Sequence, residues 1–83
     1  MLHMIELHYT QDQREQALNY FQKHGMTNYE GDVFVQELWV ATEDRIAYAV
    51  VESNDPKEVE KACSPLTQFG NVTSRAIISA DQL

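Results

Sequence analysis

The order of the predicted elements constrains the fold of this chain most strongly. Alternating polarity predicts strands over residues 2–9, 33–41, 45–52 and 72–79, with one helix after the first strand and another after the third. This β-α-β-β-α-β order is that of the split βαβ arrangement. Right-handed crossovers then place both helices on one face of a four-stranded antiparallel sheet. We therefore expect a single ferredoxin-like α+β domain over residues 1–83, because 83 residues leave no room for a second core.

The clearest local signal in the sequence marks the second helix. Asp55 is a strong N-cap, Pro56 suits the first helical position, and Glu58 would close a capping box. Pro65 should end or kink this helix, because proline disfavours helical geometry at the residue before it. Leu66 is then expected to pack from an irregular tail.

The first helix has weaker boundary signals. Thr10 and Asp12 are both candidate N-caps. Gly25 is a natural end point, because glycine adopts the left-handed cap without a Cβ penalty. Residues 25–31 have the composition of a loop, so we expect the chain to leave the helix there.

Composition excludes several classes of function. The net charge of −7, with six scattered Lys and Arg residues, argues against a nucleic-acid partner, because phosphate binding needs clustered basic side chains. No run approaches the ~18 apolar residues of a membrane span, so we expect no membrane partner. The single cysteine, Cys63, excludes an internal disulfide and suits a reducing cytosol. The sequence thus predicts a cytoplasmic protein.

Strand alternation predicts which side chains lie on the sheet face that the helices leave uncovered. The first three strands would contribute Leu2, Met4, Glu6, His8, Val33, Val35, Glu37, Trp39, Ala47, Ala49 and Val51. The fourth would contribute either Arg75 and Ile77 or Ser74, Ala76 and Ile78. The first set is favoured because Arg75 could neutralise Glu6 or Glu37. If Ala41 pairs with Arg45 across the hairpin between the second and third strands, Trp39 lies opposite Ala47, and a shift of one residue would reverse the face of a strand.

A face of this composition is too apolar for open water. Its simplest cover is the same face of a second copy, which gives a twofold homodimer. Large side chains fill the space between two such sheets, whereas Ala47 and Ala49 beside Trp39 would leave it empty. We therefore expect a cavity for a small apolar ligand at the sheet–sheet interface, lined by Trp39, Ala47, Ala49, Met4 and Arg75.

The candidates for catalysis are His8, Glu6 and Glu37. His8 and Glu6 are two residues apart on one strand, so their side chains point the same way, about 6.5–7 Å apart. His8 could act as a general base that Glu6 or Glu37 orients. The alternative is a polar rim of the sheet that cross-strand partners satisfy. No spacing is typical of a metal site and no cofactor motif is present, so we expect neither a metal nor a cofactor.

Short segments along most of the chain carry a family resemblance. They are the start Met1-Leu2-His3-Met4-Ile5, the pair Trp39-Val40, the run from Tyr48 to Glu52 that leads to Asp55, the spaced Ser64, Leu66 and Phe69, and the ending Ser79-Ala80-Asp81. Together they resemble the family catalogued as domain of unknown function 3303. The resemblance implies the fold and the homodimer of the dimeric α+β barrels. The family has no established activity, so the resemblance implies no reaction.

Two functions of different classes remain open from the sequence. The first is a small homodimeric binding or regulatory protein with a ligand cavity between its sheets. The second is a cofactor-independent enzyme of the monooxygenase or isomerase kind, acting on a small apolar or aromatic substrate. Proteins with those activities share the dimeric α+β barrel architecture, so this alternative rests on analogy of fold. The two hypotheses differ in whether a cavity reaches His8.

Overall fold

The structure is a computed structural model that describes residues 1–24 and 33–83. Its strands are β1 (Leu2–Tyr9), β2 (Phe34–Val40), β3 (Ile46–Glu52) and β4 (Gly70–Ile77), and its helices are α1 (Arg14–His24) and α2 (Pro56–Cys63). Short 3-10 turns cover Gln11–Gln13, Ser64–Gln68 and Ala80–Gln82. The four strands form one antiparallel sheet in the order β2-β3-β1-β4. This confirms the ferredoxin-like α+β fold.

One hydrophobic core joins the helices to a single face of the sheet. Its buried members are Ile5, Leu7, Tyr9, Ala17, Phe21, Val33, Val35, Ala47, Ala49, Val51, Val59, Ala62, Leu66 and Phe69. On β1 the buried residues alternate with more exposed ones, as the sequence predicts. The predicted cap at Gly25 and the loop over residues 25–31 lie outside the described residues. No described helix is long and apolar enough to cross a membrane.

The start of α2 is fixed by its cap. Asp55 accepts a hydrogen bond from the Lys57 N–H at 3.0 Å, which confirms it as the N-cap residue. The second bond of the predicted capping box is different, because the Asp55 N–H donates to the buried Ser53 Oγ at 3.1 Å. Glu58 instead faces Lys61, with 3.4 Å between the carboxylate and the ammonium. Ser53 therefore accepts the hydrogen bond that the sequence predicts for Glu58.

Pro65 ends α2 as expected, and the tail that follows is regular. The α-helix stops at Cys63 and continues as a 3-10 turn through Gln68. Within this turn Leu66 is only 1% exposed, and Phe69 just beyond it is also buried. The turn thus delivers two large apolar side chains to the core after the helix has ended.

The predicted register of β2 and β3 is wrong by one residue. The Ala41 N–H donates to the Ile46 carbonyl at 3.0 Å, so Ala41 pairs with Ile46 rather than with Arg45. Trp39 consequently lies opposite Tyr48, not opposite Ala47. Because side chains alternate with a period of two, this shift reverses the whole of β3.

Two groups of residues change face as a result. Ala47, Ala49 and Val51 are buried against the helices, whereas Ile46, Tyr48 and Val50 lie on the uncovered face. On β2 the pairing steps from Val35–Val51 to Glu37–Val50, which leaves Gln36 as the extra residue of a β-bulge. Val33 and Val35 are therefore buried, and Phe34 lies on the uncovered face. Beyond the bulge, Glu37 and Trp39 lie on the uncovered face, as predicted.

The register is testable by enlarging Ala49. This side chain is 1% exposed under the helices, so Ala49→Leu should overpack the core and lower the free energy of unfolding by ~1–3 kcal/mol. For a domain of this size each kcal/mol corresponds to ~4–8 °C in melting temperature, which differential scanning fluorimetry resolves. Ala76→Leu is the control, because Ala76 lies on edge strand β4 and is exposed. Equal melting temperatures for the two variants would contradict the register.

Candidate functional site

The uncovered sheet face, which we call the open face, is the side of the sheet opposite the buried core and the helices. The cross-strand pairings assign fifteen residues to it: Leu2, Met4, Glu6, His8, Phe34, Glu37, Trp39, Ile46, Tyr48, Val50, Glu52, Asn71, Thr73, Arg75 and Ile77. Two aromatic side chains on it are well exposed, Trp39 at 61% and Phe34 at 41%. Exposed aromatics in a continuous apolar surface are typical of binding faces.

Polar and apolar residues are unevenly distributed over the open face. One central row runs Trp39–Tyr48–Glu6–Thr73 across the four strands, and the next runs Glu37–Val50–Met4–Arg75. Ile46, Tyr48 and Val50 make the middle of β3 apolar, whereas His8 pairs with the polar Asn71 at the far corner. The apolar surface is thus concentrated on β2 and β3, and the corner formed by β1 and β4 is polar.

The carboxylates of the open face have partners within the protomer. Arg75 Nη2 lies 3.4 Å from Glu6 Oε2, which confirms that Arg75 is on the same face as Glu6 and pairs with it. The Trp39 indole N–H donates to Glu37 Oε2 at 2.8 Å. The amino group of Met1 contacts the Glu52 carboxylate. Exposed ion pairs of this kind stabilise a fold by ~0–1 kcal/mol, so their main effect is to neutralise charge on the open face.

The structure brings most of the predicted site residues to one surface. Met4, Trp39 and Arg75 share the open face with Glu6, His8 and Glu37. Ala47 and Ala49 do not, because they are buried on the opposite side of β3. The two small residues that the sequence predicts beside Trp39 therefore lie on the helix side of the sheet.

His8 does not meet the carboxylates that were expected to orient it. Glu6 bonds to Arg75, and Glu37 lies on edge strand β2 and accepts from the Trp39 indole. The other described histidine of β1, His3, is buried on the helix side, with its Nε2 lacking a partner among the described residues. No grouping of three or more potential metal ligands occurs within residues 1–24 and 33–83.

A pocket opens where the β2–β3 connection meets the end of β1. It has a volume of about 340 Å³ and is lined by His8, Tyr9, Glu43, Asp44, Arg45 and Ile46. The Tyr9 N–H donates to the Arg45 carbonyl at 3.1 Å, which ties the connection to β1. We call this site the hairpin-end pocket. Sequence reasoning missed it, because the acidic pair Glu43–Asp44 has the composition of a solvated turn.

Close packing of the backbone holds His8 at the mouth of this pocket. Gly70 pairs with Tyr9 at the start of β4. A Cβ at Gly70 would lie 2.0 Å from the His8 carbonyl oxygen, so only glycine permits this approach. The side chain of His8 is exposed on the open face, so it belongs both to that face and to the hairpin-end pocket.

Cys63 is a structural residue of α2. Its side chain is half-buried and hydrogen-bonds to Ser74 on β4. Burial raises the pKa of the Cys63 thiol, which outweighs the lowering by the Ser74 hydrogen bond. A raised pKa keeps the thiol protonated and therefore poorly nucleophilic near neutral pH.

Comparison with known proteins supports the fold and assigns a family. The crystal structure of an uncharacterized NIPSNAP domain protein from Burkholderia xenovorans superposes with a TM-score of 0.61 at 10% sequence identity, covering 95% of this chain and 94% of that one. At this identity the likeness shows the fold alone. No curated protein matches the sequence significantly. The family model of the domain of unknown function DUF3303 matches residues 1–83, so the chain belongs to the DUF3303 family.

Proposed function

We propose that this protein is a small cytosolic homodimer that binds a small apolar ligand between the open faces of its two subunits. The observation that carries the proposal is the open face itself, on which Trp39 is 61% exposed in one protomer. Tyr48 and Val50 extend the apolar surface beside it. Removing such side chains from water contributes about 25 cal/mol per Å² of apolar area, which favours a covering partner.

A second copy of the chain is the occupant that fits this face best. In a twofold dimer the same surface serves both subunits, so its apolar part must match itself. The Glu6 carboxylate is paired with Arg75, so a second copy can approach there without burying an unpaired charge, and the Glu37 carboxylate accepts a hydrogen bond from the neutral Trp39 indole. The open face carries the carboxylates of Glu6, Glu37 and Glu52 against the guanidinium of Arg75, so it holds two of the seven net negative charges of the chain.

The size of the open face sets the expected strength of the dimer. Fifteen residues are fewer than the ~20–30 residues per side of a standard protein interface. We therefore expect association to depend on protein concentration, with Trp39 and Tyr48 as its anchors.

The proposed ligand cavity rests on sheet twist. Twisted sheets that pack face to face contact each other closely in some regions and diverge in others. Met4, Trp39 and Arg75 remain candidate lining residues, because all three lie on the open face. Ala47 and Ala49 leave the proposal, since they are buried on the helix side. Trp39 and Met4 offer apolar contacts, which suits a small apolar ligand.

A cofactor-independent enzyme is the second candidate function. The observation that favours it is that His8 lines the hairpin-end pocket and is exposed there. A general base must lie within hydrogen-bond reach of the proton that it removes, and an exposed imidazole at a pocket mouth meets that condition. Glu6 and Glu37 have other partners, so His8 would act without either. This candidate therefore has one catalytic residue fewer than the sequence suggested.

The fluorescence of Trp39 tests the dimer directly, because it is the only tryptophan in the chain. With its side chain exposed in the protomer and covered in the dimer, emission should shift to shorter wavelength as protein concentration rises, and acrylamide quenching should fall. Sedimentation velocity over the same concentrations should show the 9.6 kDa chain becoming a species of twice that mass. A monomer with fully quenchable Trp39 at the highest concentration would contradict the proposal.

A further inference from the structure

We propose that the hairpin-end pocket binds a small zwitterion that carries an amine and a carboxylate, as a free amino acid does. This site is formed by one protomer, at the edge of the open face to which its lining residues His8 and Ile46 also belong. It has a volume of about 340 Å³, within the ~300–1,000 Å³ range of small-molecule sites. Such a volume accommodates a ligand of amino-acid size.

Residues of both charge signs line the same small volume. Glu43 and Asp44 carry carboxylates and Arg45 carries a guanidinium, all on one short connection. The carboxylates can accept hydrogen bonds from an ammonium group. The planar Arg45 fork can donate two parallel hydrogen bonds to a ligand carboxylate. A zwitterion would satisfy both sets at once, whereas a simple cation or anion would leave one set unused.

The charged side chains of Glu43, Asp44 and Arg45 do not form ion pairs with one another. The ion pairs among the described residues join the Met1 amino group with Glu52, Lys61 with Glu58, and Arg75 with Glu6. None involves Arg45, although two carboxylates directly precede it in sequence. Its guanidinium and the two carboxylates therefore keep their hydrogen-bonding capacity for a ligand.

Hydrogen bonds hold the backbone at the end of the pocket in place before a ligand binds. The Arg45 carbonyl accepts from the Tyr9 N–H, and the Ile46 carbonyl accepts from the Ala41 N–H. These two bonds fix the end of the connection against β1 and β2. A preformed site loses less conformational entropy on binding, so weakly interacting groups can still give measurable affinity.

The lining also sets limits on the ligand. His8 offers an imidazole nitrogen to a polar ligand atom, while Ile46 presents a half-buried aliphatic wall. A short aliphatic side chain on the zwitterion would contact Ile46, which buries apolar area without needing a further charge. We therefore choose L-valine as the probe, with isobutylamine and isovalerate as matched molecules that lack its carboxylate and its amine.

The test is a titration of backbone amide chemical shifts by NMR. L-valine should produce saturable shifts confined to residues 8, 9 and 43–46, and each single-charge analogue should bind roughly tenfold more weakly or worse, since it lacks one of the two charged groups that hydrogen-bond to the pocket. Arg45→Gln and Asp44→Asn should each weaken L-valine to a similar extent. The controls Lys57→Gln and Glu60→Gln, exposed charges on α2 at the far end of β3, should leave the affinity unchanged.

Each of the remaining outcomes would overturn the proposal. Absence of saturation up to the solubility limit of L-valine would show a solvated turn with no ligand site. If isobutylamine bound as tightly as L-valine, Arg45 would not be binding the ligand carboxylate. Val50→Lys on the open face should retain the L-valine affinity even if it disrupts the dimer, so a loss of affinity in that variant would contradict a site formed by one protomer.

Discussion

Replacing Val50 by lysine is expected to leave the protein monomeric at concentrations where the proposed homodimer of the unmodified chain would form. Val50 lies in the middle of β3 on the open face, between Glu37 and Met4 in the neighbouring strands. In a dimer both copies of the new ammonium group would be buried among apolar side chains. Taking an ammonium group out of water costs several kcal/mol even beside a carboxylate such as that of Glu37, and 1.4 kcal/mol is tenfold in affinity. We expect the dissociation constant to rise by a factor on the order of 10³ or more.

The substitution is chosen so that the protomer itself stays folded. In the isolated subunit the lysine side chain can reach water, and the Glu37 carboxylate on the adjacent strand offers it a partner. Circular dichroism and the melting temperature of the monomeric variant therefore report whether the fold is intact. A variant that unfolds would be replaced by Tyr48→Lys, which lies in the next row of the same strand beside Glu6.

Val40→Lys is the matched control for this experiment. Val40 is 44% exposed at the end of β2 and shares the face of Ala47, so it lies on the helix side of the sheet. The same change of residue and charge should leave the dimer intact there. Sedimentation velocity and acrylamide quenching of Trp39 measure both variants. Dissociation by both substitutions, or by neither, would contradict a dimer that forms through the open face.

The buried face of a strand can be predicted where polar and apolar residues alternate clearly, and the strands of this chain differ in that respect. In β1, Glu6 and His8 alternate with Ile5 and Leu7, so the buried side is unambiguous. In β3 all six residues before Glu52 are uncharged and mostly apolar. Pairing Ala41 with Arg45 would put the larger residues of β3 on the helix side. The structure puts Ala47 and Ala49 there instead, where small side chains allow the helices to pack closely on the sheet. The connection between β2 and β3, residues 42–45, sets the register of the two strands. The alternation of polar and apolar residues does not by itself give the length of this connection.

The candidate site was predictable only where it follows from strand pairing. Arg75 and Glu6 were placed on one face from their charges, and the structure confirms that contact at 3.4 Å. The hairpin-end pocket depends on the hydrogen bond between Tyr9 and Arg45, which are 36 positions apart in the chain. No local pattern signals such a contact, because it arises from the register of three strands together. This is why Arg45 did not stand out in the sequence.

Shortening Leu66 to alanine is expected to cause a large loss of stability for a single side chain. Leu66 lies in the 3-10 turn after Pro65 and is 1% exposed, so its removal leaves a cavity in the core. Such substitutions cost ~2–5 kcal/mol, against a total of roughly 5–12 kcal/mol for a domain of this length. The melting temperature should therefore fall by at least ~8 °C.

Two further variants separate the loss of packing from any other effect of changing a leucine in this chain. Leu66→Met nearly conserves the side-chain volume and should cost less than ~1.5 kcal/mol. Leu83→Ala removes the same atoms from a residue that is 94% exposed, so it should leave the melting temperature unchanged. All measurements need one protein concentration, because dimerisation would itself raise the melting temperature. Similar melting temperatures for Leu66→Ala and Leu83→Ala would show that the turn after Pro65 contributes little to the core. The packing of the helices on the sheet would then depend on the residues of α1 and α2 themselves.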